Sequence, residues 1–523
     1  MKKLLFVFLF FSPQMFGQTT FQKTFGGTND DNAWDIYMTN DSGYIMVGST
    51  LSFGGAIDVY LIKVNAAGNL LWTKTYGGPF VDGGGTVREA TDRGFIISGS
   101  SDSYSSGNYD AYLIKTDSVG NVVWKKLYGG ANIDVANSVE QTGDGGYILA
   151  GYTYSNSFGI NDVFLIKTDA NGDTLWTRTY GGILGDPVFC VHHTVDGGYI
   201  LAGWSQSYGL GNNGQACLLK IDANADTVWT KTYGGPFTDA FNHVLETPDN
   251  GYLATGYTNS SSGGGSDIFV VRTNTLGDTL WMKTYGTPFR EEQSEKIEFT
   301  SDGGYVITGT QGGFSGDPIN DIFLLKIDSM GNIIWSELYG DTLEDEGHSV
   351  LETSDKGFIV TGSTKSFGSG GKDVYLIKTD SMGISGCYQT NSNIVAGTKT
   401  ITVESQAPLI SSGTIVLNPN ISLSSGGVLT ALCPTTPSVK ETDVSNFDII
   451  IYPNPFTDAV TITSQQEITA IEVYNMLGEL VFSTSNIKHQ TSNIIDLSSQ
   501  PSGIYFVRVT TKEGTVSRKI VRE

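Results

Sequence analysis

Asp162-Val-Phe-Leu-Ile-Lys-Thr-Asp169, a turn at Asn171-Gly172, Trp176-Thr-Arg-Thr-Tyr180-Gly-Gly182 and Thr194-Val-Asp-Gly-Gly-Tyr199-Ile-Leu-Ala-Gly203 make up one phrase that the chain repeats along most of its length. Its tryptophan recurs at Trp72, Trp124, Trp176, Trp229, Trp281 and Trp335, at spacings of 52, 52, 53, 52 and 54 residues. A fixed period of this size is one supersecondary unit repeated, each copy burying its apolar face only against its neighbours. Within a copy the apolar stretches are short, rich in Val, Ile, Tyr and Trp, and separated by Gly, Asn, Asp and Ser, which is strand and hairpin chemistry. In the second copy the expected strands are a near Thr86 to Ala90, b Phe95 to Ser100, c Asp110 to Thr116 and d Val123 to Tyr128.

Strand c begins at Asp58, Asp110, Asp162, Gln215, Asp267, Asp321 and Asp373, so the expectation is a seven-bladed β-propeller over residues 19–386. The last copy has Cys387 where the tryptophan belongs and lacks Tyr-Gly-Gly, whereas Phe21-Gln-Lys-Thr-Phe25-Gly26-Gly27 matches Trp72-Thr-Lys-Thr-Tyr76-Gly77-Gly78. The N-terminal strand is therefore expected to complete the last blade, the alternative being Cys387-Tyr-Gln-Thr. Such an exchange removes the free end that an open array must cap.

Composition narrows the class. The 523 residues carry 66 Gly, 25 Tyr and only 16% charged side chains, as in a turn-rich all-β protein of several domains. With 54 acids against 31 Lys and Arg the net charge is −23, which disfavours nucleic acid and anionic membrane surfaces as partners. Met1-Lys2-Lys3, the apolar run Leu4 to Phe11 and the small or polar residues to Gln18 read as a signal peptide over residues 1–17. No transmembrane segment is expected. Cys387 and Cys433 bracket a Ser/Thr-rich stretch, residues 387–440, read as a small β spacer module stapled by a disulfide between them. Cys190 and Cys217 fall on strands a and c of one unit, too far apart to bridge, and are expected as free thiols.

From residue 447 the text changes to Ile450-Ile-Tyr452-Pro453-Asn454-Pro455-Phe456, Tyr474-Asn-Met-Leu-Gly478, Gly503-Ile-Tyr-Phe-Val507 and a terminal Lys519. Residues 447–523 resemble the type A C-terminal sorting domain of the type IX, or Por, secretion system of Gram-negative bacteria. The resemblance implies an Ig-like β-sandwich read by the type IX translocon, and a location outside the cell or on its surface. The repeats also resemble the Tyr-Gly-Gly/Asp-Gly-Gly-Tyr arrays of exported bacterial proteins, which implies a fold and no activity.

Function has to come from a site. The b-to-c loops and d-to-a connections are the longer ones and fall on one face of a blade. Six residues after each strand-d aromatic stands an acid, Asp31, Asp82, Asp134, Asp186, Asp239, Glu291 and Asp345, placed to ring a channel mouth. They read either as a cation site, Ca²⁺ included, or as carboxylates holding turns. The b-to-c loops carry Phe53, Tyr104, Phe158, Tyr208, Phe314 and Phe367, candidates for stacking on a glycan or anchoring a protein, or else packing between loops. No His-Glu-x-x-His or recurrent His placement occurs among the 5 histidines, and no cofactor is expected. The expectation is a secreted, non-enzymatic binding or structural protein. The alternative is a carbohydrate-active lyase or glycosidase using channel carboxylates.

Overall fold

The computed structural model describes residues 18–522 apart from 106–107, 209–212, 261–264, 289, 314–319, 398–401, 407–408, 412–414, 418–421, 425–427, 432–435, 439–448, 454–455, 465–466, 476–479, 486–491 and 512–514. The expected signal peptide, the aromatic Phe314, the cysteine Cys433, and Asn454, Pro455 and Gly478 of the sorting motif lie outside the described residues. The chain forms two compact units, one up to Ser438 and one from Val439. All regular elements of the described residues are strands.

The first unit holds seven antiparallel sheets. Each is built on four strands, named a to d in sheet order; in sheet 2 they are Asp82–Glu89, Phe95–Ser101, Asp110–Thr116 and Val122–Gly129. Strands b and c are buried almost throughout, as in Tyr147–Thr153 and Asp162–Thr168, because each sheet is covered on both faces by its neighbours. That is why they read as continuous apolar runs instead of alternating ones. The a strands are Asp31–Met38, Asp82–Glu89, Asp134–Gln141, Val188–His193, Asp239–Glu246, Arg290–Phe299 and Asp345–Glu352. Each packs against the a strand of the next sheet, and that of sheet 7 packs against that of sheet 1.

The repeated residues make the joints between and within sheets. The strand-d tyrosines Tyr76, Tyr128, Tyr180, Tyr233 and Tyr285 each donate a hydrogen bond from Oη to a backbone carbonyl in the c-to-d turn of the following sheet, at 2.6–2.8 Å. The tryptophan of the same strand lies over that turn: a Cβ added at Gly120, where φ is +80°, would come within 3.0 Å of the Trp72 ring. Within each sheet a strand-c cation, such as Lys115 or Lys167, reaches the Asp of the a-to-b turn, Asp92 or Asp144, at 2.8 Å.

Sheet 7 takes its fourth strand from the N-terminus. Gln18–Gly26 pairs antiparallel with Asp373–Thr379, Phe21 opposite Lys378 and Phe25 opposite Val374, and both phenylalanine side chains are fully buried. Cys387-Tyr-Gln-Thr does not serve there.

The expected spacer module is not a module. Its short strands are laid one after another along the outer edges of the sheets, in reverse order. Gln389–Asn391 pairs with strand d of sheet 6, Val395–Gly397 with that of sheet 5, Thr402–Gln406 with sheet 4 and Leu409–Ser411 with sheet 3. Ile415–Leu417 then pairs with sheet 2, Ser422–Ser424 with sheet 1, and Val428–Ala431 with the N-terminal strand of sheet 7. A fifth strand thus covers every outer edge, where unpaired N–H and C=O groups would otherwise recruit other chains. Such pieces are too short to form a sheet of their own, and the free edges supply the partners they lack.

The second unit has a three-stranded sheet, Ile449–Tyr452, Ala459–Ser464 and Ser492–Asp496, and a four-stranded one, Leu480–Ser485, Ile468–Asn475, Gly503–Thr511 and Thr515–Arg522. Val460 and Ile462 of one meet Ile471, Val473, Val507 and Val509 of the other in a common core.

Candidate functional site

The acids expected at a channel mouth are buried inside turns. Asp82 accepts from Gly78 N at 2.8 Å, Ser103 Oγ at 2.6 Å and Ser101 Oγ; Asp134 and Asp239 repeat the arrangement with Gly130, Ser155 and Thr153 and with Gly235, Ser260 and Thr258. Asp31, Asp186 and Asp345 are likewise buried and bonded to the residue four positions before them and to the b-to-c loop serine. In sheet 6 the residue that does this is Glu292, fully buried and holding Thr287 and Gln311, while Glu291 is exposed; one extra residue in the d-to-a connection shifts the register. These carboxylates fasten the d-to-a connection to the b-to-c loop. Among the described residues no three His, Cys, Asp or Glu converge as a metal site.

The loop aromatics mostly turn inward. Phe53 packs beside Tyr60 at 5.7 Å between ring centroids, and Phe367 packs beside Tyr375 at 5.5 Å. Tyr104 donates to the Gly77 carbonyl at 2.7 Å, and Tyr208 to that of Gly181. Phe158 stays 39% exposed. No continuous platform results from these five.

A different set converges at the centre, where the seven a strands face one another. Every a strand has a β-bulge at the same place, three residues after its buried acid. A bulge turns its extra residue off the ladder and re-aims it. The bulged residues are Trp34, Gly85, Asn137, Phe189, Asn242, Glu295 and His348, and all line a central cavity of about 450 Å³. The next residues along, Asp35, Thr86, Ser138, Cys190, His243 and Lys296, line it as well. A second cavity of about 310 Å³ shares Trp34, Gln293, Glu295 and His348 with the first and adds Glu291 and Glu346. Most of the chain repeats, yet in this column hardly two sheets carry the same residue.

The charges are distributed unevenly. Asp35 is buried and binds Lys296 at 3.2 Å, Arg88 and Ser349; burial opposes its ionisation, but Lys296 and Arg88 hold its carboxyl well below the usual range. Glu295 has no such partner, and burial together with Glu346 pushes its carboxyl up to about 7. Burial, helped by Lys372, brings His348 down to about 3, so its ring is neutral. Cys190 and Cys217 are free thiols, and burial raises Cys190 to about 12, which makes it inert. None of these central residues stood out in the repeats; the signal that marks them is the break in repetition itself.

Residues 450–523 match the family described as the secretion system C-terminal sorting domain. The tail marks an exported protein of the type IX route, directed to the outside of the cell. No helix among the described residues is long and apolar enough to cross a membrane. Over 222 residues the chain is 26% identical to the regulatory protein FlaEY of Caulobacter vibrioides, a match covering 37% of this chain and 22% of that protein, so it spans about a fifth of FlaEY. Among solved structures, PorZ, an essential bacterial surface component of the type IX secretion system of Porphyromonas gingivalis, is 12% identical with a TM-score of 0.41, covering 95% of this chain and 60% of PorZ. The extracellular domain of the one-component system protein BT4673 of B. thetaiotaomicron is 12% identical with a TM-score of 0.38, covering 94% of this chain and 56% of that one.

Proposed function

We propose that the chain is a secreted or cell-surface binding protein, non-enzymatic, whose seven sheets are the blades of a closed β-propeller and whose ligand enters the central cavity. The observation that carries this reading is the column of seven bulges. A scaffold that repeats its turns, joints and edges gains nothing structurally from six residue types at seven equivalent inward positions. A binding site does, because specificity comes from a few individually placed polar and aromatic groups in a concave site. The cyclic packing of the a strands supports closure. Of the acids read from the repeat, all but Glu291 are committed to hydrogen bonds in turns, which weakens the enzymatic alternative. The partner that exports the protein is the type IX translocon, through the tail; the partner outside is a glycan or a protein. Cys387 is disulfide-bonded, and Cys433 is its proposed partner.

The test is a glycan and peptide binding screen with the mature chain, comparing wild type with Trp34→Ala and Asn137→Ala. Any ligand found should bind at least about tenfold more weakly to both variants, as expected for groups that touch it. Binding that survives both changes and disappears with Phe158→Ser would move the site to the loops.

A further inference from the structure

One side of the central cavity holds polar groups that nothing in the protein satisfies. Trp34 is 46% exposed, and its ring stands 4.3 Å from that of His348. Both ring nitrogens of His348 are shut off from solvent without a hydrogen-bond partner. Glu295, half-buried, lines the same space and makes neither a hydrogen bond nor an ion pair among the described residues. Buried nitrogens left unpaired, like those of His348, are costly, and natural proteins leave few without a purpose. The backbone is adapted here too: strand a of sheet 6 has 10 residues against 8 in sheet 5, and carries Glu291 and Gln293 to the rim.

Resting on the central-cavity reading above, we propose that this side of the cavity binds the ammonium group of a cationic ligand, with the Trp34 ring and the Glu295 carboxylate as its walls. An ammonium group suits both walls: its charge is attracted to the face of an indole and to a carboxylate. An anionic ligand would meet Glu291, Glu295 and Glu346, of which only Glu346 has a cation, Lys372, beside it.

The groups around Glu295 come from three other sheets as well as its own. Glu346 and His348 stand on sheet 7, Tyr257 on sheet 5 and Trp34 on sheet 1. The neighbouring cations are already engaged, Lys296 by Asp35 and Lys372 by Glu346 at 2.6 Å. Glu295 is therefore held mostly protonated below neutral pH by burial and by Glu346. Only its ionised form pairs with an ammonium, so binding must release a proton there and tighten as pH rises.

The experiment is calorimetry of the full mature chain with choline and with its uncharged isostere 3,3-dimethylbutan-1-ol, at pH 6 and pH 8. Choline should bind at least about tenfold more tightly than the isostere, and about tenfold more tightly at pH 8 than at pH 6, the ratio of ionised Glu295 at the two pH values. Glu295→Gln should abolish the pH dependence and reduce the preference for choline to what the Trp34 ring supplies, with the melting temperature unchanged at pH 6, where Glu295 is mostly protonated, and Trp34→Phe should retain part of the affinity that Trp34→Ala loses. Equal binding of the two probes, pH-independent choline binding, or no choline binding would each overturn the ammonium site. If a ligand from the screen is still lost in Trp34→Ala, the cavity reading survives that failure; if Trp34→Ala leaves screen binding intact, the cavity reading falls with it.

Discussion

At the end of strand d stands a glycine because carboxylates meet over it. A Cβ added at Gly77 would lie 1.7 Å from Asp58 Oδ1 and 3.0 Å from Asp82 Oδ2; at Gly129 the distances to Asp110 and Asp134 are 2.1 and 2.7 Å. Gly129→Ala should therefore destabilise the protein by about 1–3 kcal/mol in chemical denaturation, as overpacking does. The same pairs make stability depend on pH. Burial, with Asp82 adding for Asp58, pushes Asp58 up to about 6; burial likewise brings Asp373 to about 6 and Asp162 to about 7, each beside a second acid. Between pH 4 and 7 the folded chain keeps protons that the unfolded chain has released, so stability falls as pH rises through that range. Melting temperatures measured from pH 4 to pH 8 should decline, and Asp162→Asn should flatten the upper part of the decline. Asp41, Asp144, Asp196 and Asp302, largely exposed and held near 2 against a slight burial penalty by their hydrogen bonds and cations, titrate below that range. Such repeated residues were legible in the sequence as positions, but the glycine's reason was not, because Asp58 and Asp82 meet only after two sheets have packed.

The two segments that finish the sheets lie far from their partners along the chain. Phe21 and Phe25 announced their place by matching the missing strand-d phrase. Deleting Thr19 to Gly27 should lower stability by roughly 3–5 kcal/mol for each of these buried aromatics, seen as a fall in melting temperature. Residues 387–438 gave no such match. Three- to five-residue pieces such as Val395–Gly397 and Thr402–Gln406 carry too little pattern to reveal a partner, and their reverse order around the sheets is written in no local feature. Pieces this short, set apart by composition, look in sequence like a separate module, and one extra residue before Glu292 puts Glu291 where the repeat has its buried acid. The belt starts beside the N-terminal strand, where Gln22 Nε2 donates to the Cys387 carbonyl, and Val428–Ala431 returns to that strand two residues before Cys433 in sequence. A bridge between these cysteines would fasten the belt to itself. Cys433→Ser should cost about 4 kcal/mol by loop-closure entropy, and reductant should lower the wild-type melting temperature to that of the variant.

In the molecule as a whole, repetition maintains the scaffold, and the column that departs from it faces the central cavity. The scaffold was legible because each repeated residue is seen in six or seven copies, whereas Trp34, Glu295 and His348 each appear once in their column and look like noise. Their shared position became visible only when the bulges placed them together. Export belongs to the other unit: a chain truncated after Lys440 lacks the residues that match the sorting family and should accumulate in the periplasm, detected by fractionation, instead of reaching the surface or medium. The central cavity as binding site is tested most directly by a crystal structure of the mature chain with the tightest ligand from the screen. The account predicts ligand density inside the ring of a strands, in contact with Trp34 and Glu295. Density on the outer loops around Phe158, with the central cavity free of ligand, would contradict it.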